Sequence, residues 1–394
     1  MRILIIEPFN GGSHAAWAQG YRRHSAHEID ILGLPGENWK WRMQGAAVTL
    51  ARQYLELVGK GKDYDLIIAS DMLDLATFLG LIRKSLTAAK MSRDLKIALY
   101  FHENQLTYPL SPNEKSKPAG RDRHFGLINF TSALAADVCF FNSDFHRRNF
   151  LAALPQFLQR FPDYQEIDSV AEIEQKSAVL HLGLELQQLA EYKPESKPVA
   201  TQYDTASARP PLILWNHRWE YDKNPAEFFK LLEELVADNF YFEVAILGEH
   251  FDPPPDLFCK NRELLGDRLK HFGYVENFAD YAAWLWRADL LPVTSHHDFF
   301  GISVVEAVYC DCYPLLPDRL AYPEHFPAAV KDNFFYSDYP DLLQKLKYQL
   351  EFITRTRQES PGSLVAPGSF VAKYDWSRMA PEYDARMRSL LMKT

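Results

Sequence analysis

Short apolar runs alternate with longer amphipathic stretches from one end of the chain to the other. This alternation is typical of βαβ units, in which buried parallel strands are joined by helices. In the N-terminal half the predicted strands cover residues 2–7, 65–69, 96–100, 138–142 and 178–182. In the C-terminal half they cover residues 212–216, 242–247, 290–293, 313–316 and 333–336. The pattern therefore predicts an α/β fold with a parallel sheet in each half.

Residues 191–211 interrupt this pattern, because polarity and proline frequency rise there and the apolar periodicity is lost. The chain of 394 residues also exceeds what one hydrophobic core usually fills. We therefore predict an N-terminal domain at 1–190, a linker at 191–211 and a C-terminal domain at 212–373.

The end of the chain, residues 374–394, has the spacing of an amphipathic helix. Its apolar positions recur at helical intervals, at Trp376, Met379, Tyr383, Met387 and Leu390. A helix with one apolar face needs a surface to cover that face. We expect this segment to pack back on the body of the protein.

The overall charge limits the kinds of partner that the chain attracts. Its 43 Lys and Arg residues are outnumbered by 52 Asp and Glu residues, which gives a net charge of −9. This argues against broad, non-specific attraction to nucleic acid but leaves room for a local basic patch. One candidate patch contains Lys115, Lys117, Arg121 and Arg123, and the alternative is a solvated loop.

Two further features predict a cytoplasmic protein without a membrane partner. There is no run of about 18 apolar residues, and the first apolar run is too short for a secretory signal. The four cysteines form no CxxC pair and no metal-ligand spacing. We expect reduced thiols and no metal site.

Polar and glycine residues follow the first predicted strand. Open parallel sheets bind ligands beyond the carboxyl ends of their strands, so residues at such positions are candidate contacts. Gly12 belongs to a glycine pair that lets backbone amides approach a ligand, and Ser13 and His14 follow it. The alternative is a tight turn that binds nothing.

A second polar group, His102 with Glu103 and Asn104, follows the third predicted strand. A histidine and a carboxylate at this position suit acid–base chemistry or hydrogen bonds to a sugar hydroxyl. A histidine that caps the sheet edge is the alternative.

Two cations, Arg218 and Lys223, follow the first strand of the C-terminal half. Arginine offers phosphate oxygens a planar fork and lysine a point charge, so together they suit a diphosphate. The alternative is a pair of ordinary surface charges.

The strongest local pattern lies between Asp298 and Glu306, two acidic residues with seven residues between them. Gly301 falls at the predicted start of a helix, where the amides of Gly301 to Ser303 favour a phosphate. Glu306 would lie about one turn deeper, at a place to accept hydrogen bonds from ribose hydroxyls. A purely structural role for Glu306 is disfavoured, because an unpaired buried carboxylate is destabilising.

The order of these motifs resembles the retaining GT-B enzymes of glycosyltransferase family 4. More narrowly, the segments EPFNGGSH, YFHENQLTYP, NHRWEYDKNP and HHDFFGISVVEAVYCDCYPLLP resemble the tRNA-queuosine α-mannosyltransferases, and the resemblance covers nearly the whole chain. It implies two Rossmann-like domains whose parallel sheets face a central cleft, with the acceptor on the N-terminal domain and the nucleotide sugar on the C-terminal one. It also implies transfer of mannose from GDP-mannose to the cyclopentene-diol of queuosine in a tRNA anticodon, with retention and without a metal or other cofactor.

Together with the patterns above, the resemblance assigns residue roles. The residues implied in catalysis are His102, Arg218, Lys223 and Asp298. The residues implied in donor binding are Gly12, Tyr274, Val275, Phe300, Gly301, Ile302 and Glu306. The acceptor-side candidates are Ser13, His14, Glu103, Asn104, Lys115, Lys117, Arg121 and Arg123. Asp298 is one methylene shorter than the glutamate usual in the family, so its sugar contact is expected to be longer or bridged by water.

The resemblance also implies that no protein nucleophile is needed, because the leaving diphosphate accepts the acceptor proton. We therefore expect Arg218→Ala and Lys223→Ala to fold normally but to transfer poorly.

Rival functions stay open from sequence alone. The same fold and donor site would serve a lipid or small-metabolite acceptor, or a non-catalytic protein that binds nucleotide sugar or RNA. GDP against UDP and the oligomeric state also stay open. RNA binding by an acidic protein requires a local surface, and the candidates are Arg22 with Arg23, Lys40 with Arg42, residues 115–123, and Arg147 with Arg148. The aromatic residues Trp39, Trp41 and Tyr108 lie near them in sequence and suit stacking on a base. Ordinary surface or core residues are an equal alternative for each.

Overall fold

The computed structural model describes residues 1–88, 95–109, 122–195, 209–248, 256–359 and 366–392. The chain divides into two compact units. The N-terminal unit contains Met1–Glu185 and Tyr374–Thr394, and the C-terminal unit contains Leu186–Lys373. The boundary between Glu185 and Leu186 thus falls slightly before the predicted boundary at residue 190.

The N-terminal unit is a six-stranded parallel sheet flanked by helices. Its elements are β1 Arg2–Asn10, α1 Gly12–His24, β2 Glu28–Pro35, α2 Trp39–Gly59, β3 Leu66–Ser70, α3 Leu75–Ala88, β4 Lys96–Phe101, α4 Asp122–Ala135, β5 Val138–Phe141, α5 Asp144–Leu158, α6 Ser169–Gln175 and β6 Ser177–Val179. The strand order is β2-β1-β3-β4-β5-β6. Since β1, β3 and β4 are neighbours in parallel register, the residues that follow them meet at one edge of the sheet.

The sequence pattern missed β2, which lies at the edge of this sheet. Central strands such as β3 are buried along their whole length and therefore read as continuous apolar runs. β2 is only partly buried and carries Asp30, which accepts a hydrogen bond from Tyr64 Oη at 2.8 Å. A strand of this kind lacks the apolar run on which the prediction depended.

The C-terminal unit contains a second six-stranded parallel sheet, with the order β12-β11-β10-β7-β8-β9. Its elements are α7 Leu186–Ala190, β7 Leu212–Trp215, α8 Pro225–Ala237, β8 Glu243–Ile246, α9 Asp256–Leu265, β9 Leu269–Phe272, α10 Phe278–Arg287, β10 Leu290–Pro292, α11 Ile302–Tyr309, β11 Tyr313–Pro317, α12 Lys331–Phe334, β12 Phe335–Tyr336, α13 Tyr339–Glu359 and α14 Gly368–Val371. The strand predicted at 333–336 is wrong in its first half, because α12 extends to Phe334. The prediction of two parallel α/β sheets is confirmed.

The final helix, α15 Trp376–Met392, packs inside the N-terminal unit. The indole of Trp376 lies so close to Gly20 and Gly183 that a Cβ on either glycine would come within 2.3 Å of it. Tyr383 Oη accepts a hydrogen bond from the indole Nε1 of Trp17 at 3.1 Å and lies 3.0 Å from Tyr100 Oη. Among the described residues, no helix combines the length and apolar character needed to span a membrane.

Candidate active site

The predicted diphosphate residues lie where two neighbouring strands of the C-terminal sheet end. β7 pairs with β10, and the loops after these strands touch, since His296 donates its backbone N–H to the carbonyl of Asp222 at 2.7 Å. Lys223 Nζ lies 3.3 Å from Asp298 Oδ2 and 3.2 Å from Asp222 Oδ2, and donates to the carbonyl of His297 at 2.9 Å. Lys223 therefore links the two loops.

Both members of the Lys223–Asp298 pair are held in their charged forms. Burial lowers the pKa of Lys223, but Asp298 and Asp222 outweigh that effect and raise it above its ordinary value. Burial raises the pKa of Asp298, but Lys223 and the nearby histidine His217 bring it below its ordinary value. The sequence pattern placed these residues at one site, and the structure brings them into contact.

Arg218 belongs to the same loop but has a different environment. Its side chain is 53% exposed and lies 3.4 Å from Glu220. Of the two predicted diphosphate cations, Lys223 is therefore buried within the protein, whereas Arg218 reaches into solvent.

A glycine turn leads into helix α11. Gly301 has φ of +87°, and a Cβ there would lie 2.9 Å from the ring of Tyr322. The hydroxyl of Tyr322 donates to Asp298 Oδ2 at 2.9 Å. Phe300 is buried and accepts a hydrogen bond on its carbonyl from His325 Nε2 at 2.7 Å, and Ile302 begins the helix. These contacts fix the turn in which the predicted phosphate-binding amides lie.

Glu306 has the partner that its buried position requires. The hydroxyl of Tyr281, on α10, donates to Glu306 Oε2 at 2.7 Å. Burial raises the pKa of Glu306 to about 7, although the Tyr281 hydrogen bond opposes the rise. This hydrogen bond uses Oε2, so Oε1 is the carboxylate oxygen that suits a ligand hydroxyl.

His217 is a site residue that the sequence reasoning did not single out. Its Nδ1 lies 2.9 Å from Ser303 Oγ, and burial, aided by Lys223, lowers its pKa to about 4. The side chain is therefore neutral near physiological pH. Asn216, its neighbour, donates from Nδ2 to the carbonyl of Ser303 at 2.7 Å. These two residues connect the end of β7 to the first turn of α11.

The predicted nucleobase residues follow β9. Tyr274 is 59% exposed and Val275 is half-buried. β9 is the edge strand of the sheet, with β8 between it and β7. The two residues therefore lie at the same carboxyl edge as the loop of Arg218.

The N-terminal unit holds a buried ionic pair at the end of β1. Glu7 accepts from the backbone N–H of Phe9 at 3.0 Å and lies 3.1 Å from His14 Nδ1. Burial lowers the pKa of His14, but Glu7, with smaller contributions from Asp71 and Glu103, raises it to about 9. His14, predicted on the acceptor side, is therefore an imidazolium.

His102 packs directly against this pair. Its ring centroid lies 4.2 Å from that of His14, and its backbone N–H donates to Asp71 Oδ1 at 2.8 Å. Asn142 Nδ2 donates to the His102 carbonyl at 2.9 Å. Burial, together with the positive charge on His14, keeps the pKa of His102 well below its usual value. Among the residues described, neither His102 Nε2 nor Asp71 Oδ2 has a hydrogen-bond partner.

Glu7, His14 and His102 each present one ligand atom within 4.8 Å of the others, a spacing that would suit a metal ion. The hydrogen bond between Glu7 Oε2 and His14 Nδ1, together with the packing of the His102 ring against that of His14, accounts for that spacing without an ion. We therefore treat Glu7 and His14 as an ion pair.

The ion pair of Glu7 and His14 makes the stability of the protein depend on pH. We expect the free energy of unfolding to fall as pH rises from about 6.5 to about 9, by on the order of 3 kcal/mol. Stability falls with rising pH because the pKa of His14 in the folded state lies above its ordinary value. The stabilising contribution of protonated His14 is complete below about pH 6.5 and is lost as His14 deprotonates in the folded state. Urea unfolding at a series of pH values measures it.

Glu7→Gln removes the carboxylate that raises this pKa and should abolish the fall. Glu103→Gln is the matched control, because Glu103 acts on His14 only through a weaker charge interaction, so most of the fall should remain. The same pH dependence in wild type and Glu7→Gln would contradict the assignment.

The remaining acceptor-side candidates differ in environment. Gly12 has φ of +52°, with open space where a Cβ would stand, and Ser13 is exposed beside it. Glu103 accepts from Gln105 Nε2 at 2.8 Å, whereas Asn104 closes a turn by accepting from the backbone N–H of Thr107 at 3.0 Å. Lys115, Lys117 and Arg121 lie outside the described residues. Arg123 lies in α4, but its side chain is not among those described.

The missed site residues fall into two groups. Glu7 lies within β1, at the end of its apolar run, and Asp71 follows β3 directly, so the positions of both carried a usable signal. Tyr281 and Tyr322 reach the site from elements more than a dozen positions away in sequence, and no local pattern marks them.

Comparison with known proteins identifies the family. A family model described as "tRNA-queuosine alpha-mannosyltransferase N-terminal" matches residues 2–184. The tRNA-queuosine alpha-mannosyltransferase of Drosophila melanogaster is 35% identical over 335 residues, which cover 84% of this chain and 83% of the fly protein.

Solved structures share the fold. Sucrose-phosphate synthase from Thermosynechococcus elongatus matches with a TM-score of 0.64 and 13% identity over 100% of both chains. A glycosyltransferase from Rickettsia africae matches with a TM-score of 0.63 and 15% identity, over 100% of this chain and 99% of that one. Anabaena HepE in complex with UDP matches with a TM-score of 0.61 and 15% identity, over 99% and 100%. The predicted GT-B fold is confirmed.

The resemblance drawn from the four motif segments is therefore confirmed by identity that extends over most of the chain. This protein is a glycosyltransferase and belongs to the tRNA-queuosine alpha-mannosyltransferase family.

Proposed function

We propose that this chain transfers mannose from GDP-mannose to the queuosine of a tRNA, with retention at the anomeric carbon. The observation that carries the proposal is the 35% identity to a tRNA-queuosine alpha-mannosyltransferase over 84% of the chain. The charged cluster of Arg218, Lys223 and Asp298 supports it, because glycosyl transfer from a nucleotide sugar requires cations for the leaving diphosphate.

In the proposed reaction, an acceptor hydroxyl of queuosine forms a bond to the anomeric carbon as the bond from that carbon to the diphosphate breaks. The proton of the hydroxyl passes to a diphosphate oxygen on the same face. Arg218 and Lys223 stabilise the negative charge that develops on the diphosphate. The protein then acts by positioning and by electrostatic stabilisation, and supplies no covalent nucleophile.

Other residues are proposed to orient the donor. Glu306 accepts hydrogen bonds from the ribose through Oε1, while Tyr281 holds its other oxygen. The amides at the start of α11 contact the diphosphate, and Asp298 contacts the sugar hydroxyls. Because Asp298 already binds Lys223 and Tyr322, only part of its hydrogen-bonding capacity remains for the sugar. Tyr274 and Val275 are proposed to contact the nucleobase.

A labelled-sugar assay tests the function. GDP-mannose carrying a labelled sugar is incubated with queuosine-containing tRNA, and the same tRNA lacking queuosine is the control. We expect label only on the queuosine-containing tRNA, and no loss of rate after dialysis against EDTA, since we propose a metal-independent reaction. UDP-sugars in parallel test the nucleotide, and label in neither tRNA with any donor would overturn the proposed acceptor.

A further inference from the structure

The first two turns of α2 present an indole to solvent. Trp41 is 62% exposed, yet its ring lies against the helix surface over Gly45, one turn further along. A Cβ at position 45 would lie 2.8 Å from Cζ2 and 2.9 Å from Cε2 of Trp41, so only glycine lets the ring lie there. Glycine inside a helix is destabilising relative to alanine. The helix thus loses stability at Gly45 in order to hold an exposed aromatic ring in one place.

The charges beside this ring also oppose helix stability. Lys40 and Arg42 flank Trp41 in the first turn, which contains no acidic residue. The positive end of the helix dipole disfavours cations at this position. Glu37, the nearest acidic residue in sequence, lies two positions before the helix. Residues that weaken a helix or strand are expected at the places where a protein binds a ligand or partner.

We call this surface the tryptophan patch; it is formed by Lys40, Trp41, Arg42 and Gly45. It lies near the predicted acceptor loop within the N-terminal unit. The loop between β2 and α2 touches the loop between β1 and α1, since a Cβ on Gly36 would come within 2.7 Å of Gly11 Cα. Ser13 and His14 follow Gly11 two and three positions later.

The base of the patch is anchored in the same unit. Trp39 packs against Phe125 of α4, with ring centroids 5.3 Å apart, and both contact a small apolar cluster that includes Met43 and Met72. Met72 follows β3 next to Asp71, so the cluster connects the start of α2 to the sheet edge that bears the predicted acceptor residues.

We propose that the tryptophan patch binds the tRNA acceptor, with Trp41 stacked on an unpaired base and Lys40 and Arg42 beside its phosphates. The inference rests on the proposed function and names the part of the protein that recognises the RNA. Single-stranded RNA is bound by aromatic rings that stack on bases and by cations that follow the backbone. Within α2 the exposed large apolar side chains are Trp41 and Val48, about two turns apart, and together they offer too little apolar area for a membrane or protein anchor.

The test is the equilibrium affinity of the full chain for queuosine-containing tRNA, measured by fluorescence anisotropy without a donor. We expect Trp41→Ala to raise the Kd about tenfold, and Trp41→Phe to raise it less because a ring remains. Gly45→Ala should weaken binding as Trp41→Ala does, because the new methyl group displaces the indole while helix propensity improves. Thermal unfolding checks that each variant is folded.

Two comparisons make the result specific. Tyr241→Ala removes a ring that is 66% exposed on the C-terminal unit and should leave tRNA affinity unchanged. The affinity of Trp41→Ala for GDP, measured by calorimetry, should match that of wild type. Unchanged tRNA affinity in Trp41→Ala, or an equal loss of GDP affinity, would overturn the inference.

The outcomes also separate this inference from the proposed function. If wild type binds tRNA through Trp41 but transfers no sugar to queuosine, the proposed function fails and the patch stands. If wild type transfers mannose to queuosine and Trp41→Ala binds tRNA as tightly as wild type, the function stands and the patch fails.

Discussion

Replacing Arg218 with alanine is expected to lower the rate of sugar transfer by about 100- to 1,000-fold, the loss that follows removal of one charge-stabilising donor. The midpoint of thermal unfolding should not change, because the side chain is 53% exposed and its ion pair with Glu220 is open to solvent. Initial rates with saturating tRNA, together with a melting curve, measure both quantities.

Two variants serve as controls for Arg218. Arg218→Lys keeps the charge but loses the planar fork, so its rate should fall between wild type and Arg218→Ala. Glu220→Gln removes the ion-pair partner and should leave transfer nearly intact. A rate in Arg218→Ala within a few-fold of wild type would remove Arg218 from the diphosphate site.

Replacing Lys223 with alanine is expected to reduce both transfer and stability. The sequence alone predicted that this variant folds normally, but Lys223 is buried between Asp222 and Asp298. Its loss leaves the buried carboxylate of Asp222 and the largely buried one of Asp298 without their cation, and breaking such a pair typically destabilises a protein by about 3–5 kcal/mol. Urea unfolding should show this loss, and transfer should fall at least as far as in Arg218→Ala.

A double variant separates the two effects of Lys223. Lys223→Met with Asp298→Asn removes one positive and one negative charge, so much of the lost stability should return. Transfer should stay low, because the diphosphate cation and the carboxylate proposed to contact the sugar are both missing. If the double variant regained activity along with stability, Lys223 would be a structural residue and not part of the diphosphate site.

The sequence predicted most strands of the two sheets because the central strands are buried on both faces. Such strands read as unbroken apolar runs, whereas the half-polar edge strand β2 does not. The last strand was misjudged because residues 331–334 form a helical turn, α12, immediately before β12. Over so short a stretch, apolar composition cannot distinguish a helical turn from a strand.

The candidate site was predictable to the extent that its residues follow strands. Asp298 and Lys223 are far apart in sequence, but both lie just beyond carboxyl ends of adjacent parallel strands, so the topology brings them together. Tyr281 and Tyr322 could not be predicted, because each meets its carboxylate only through tertiary packing. The buried charge of Lys223 was likewise a property of the folded loops and not of the local sequence.

The membership of α15 in the N-terminal unit bears on the order in which the protein is built during translation. The N-terminal unit begins the chain and also ends it, while the C-terminal unit is continuous from Leu186 to Lys373. The ribosome therefore releases every residue of the C-terminal unit before it releases Tyr383, whose hydroxyl accepts the hydrogen bond of the buried Trp17 indole and donates one to Tyr100. The unit whose synthesis starts first is the one whose core is completed last.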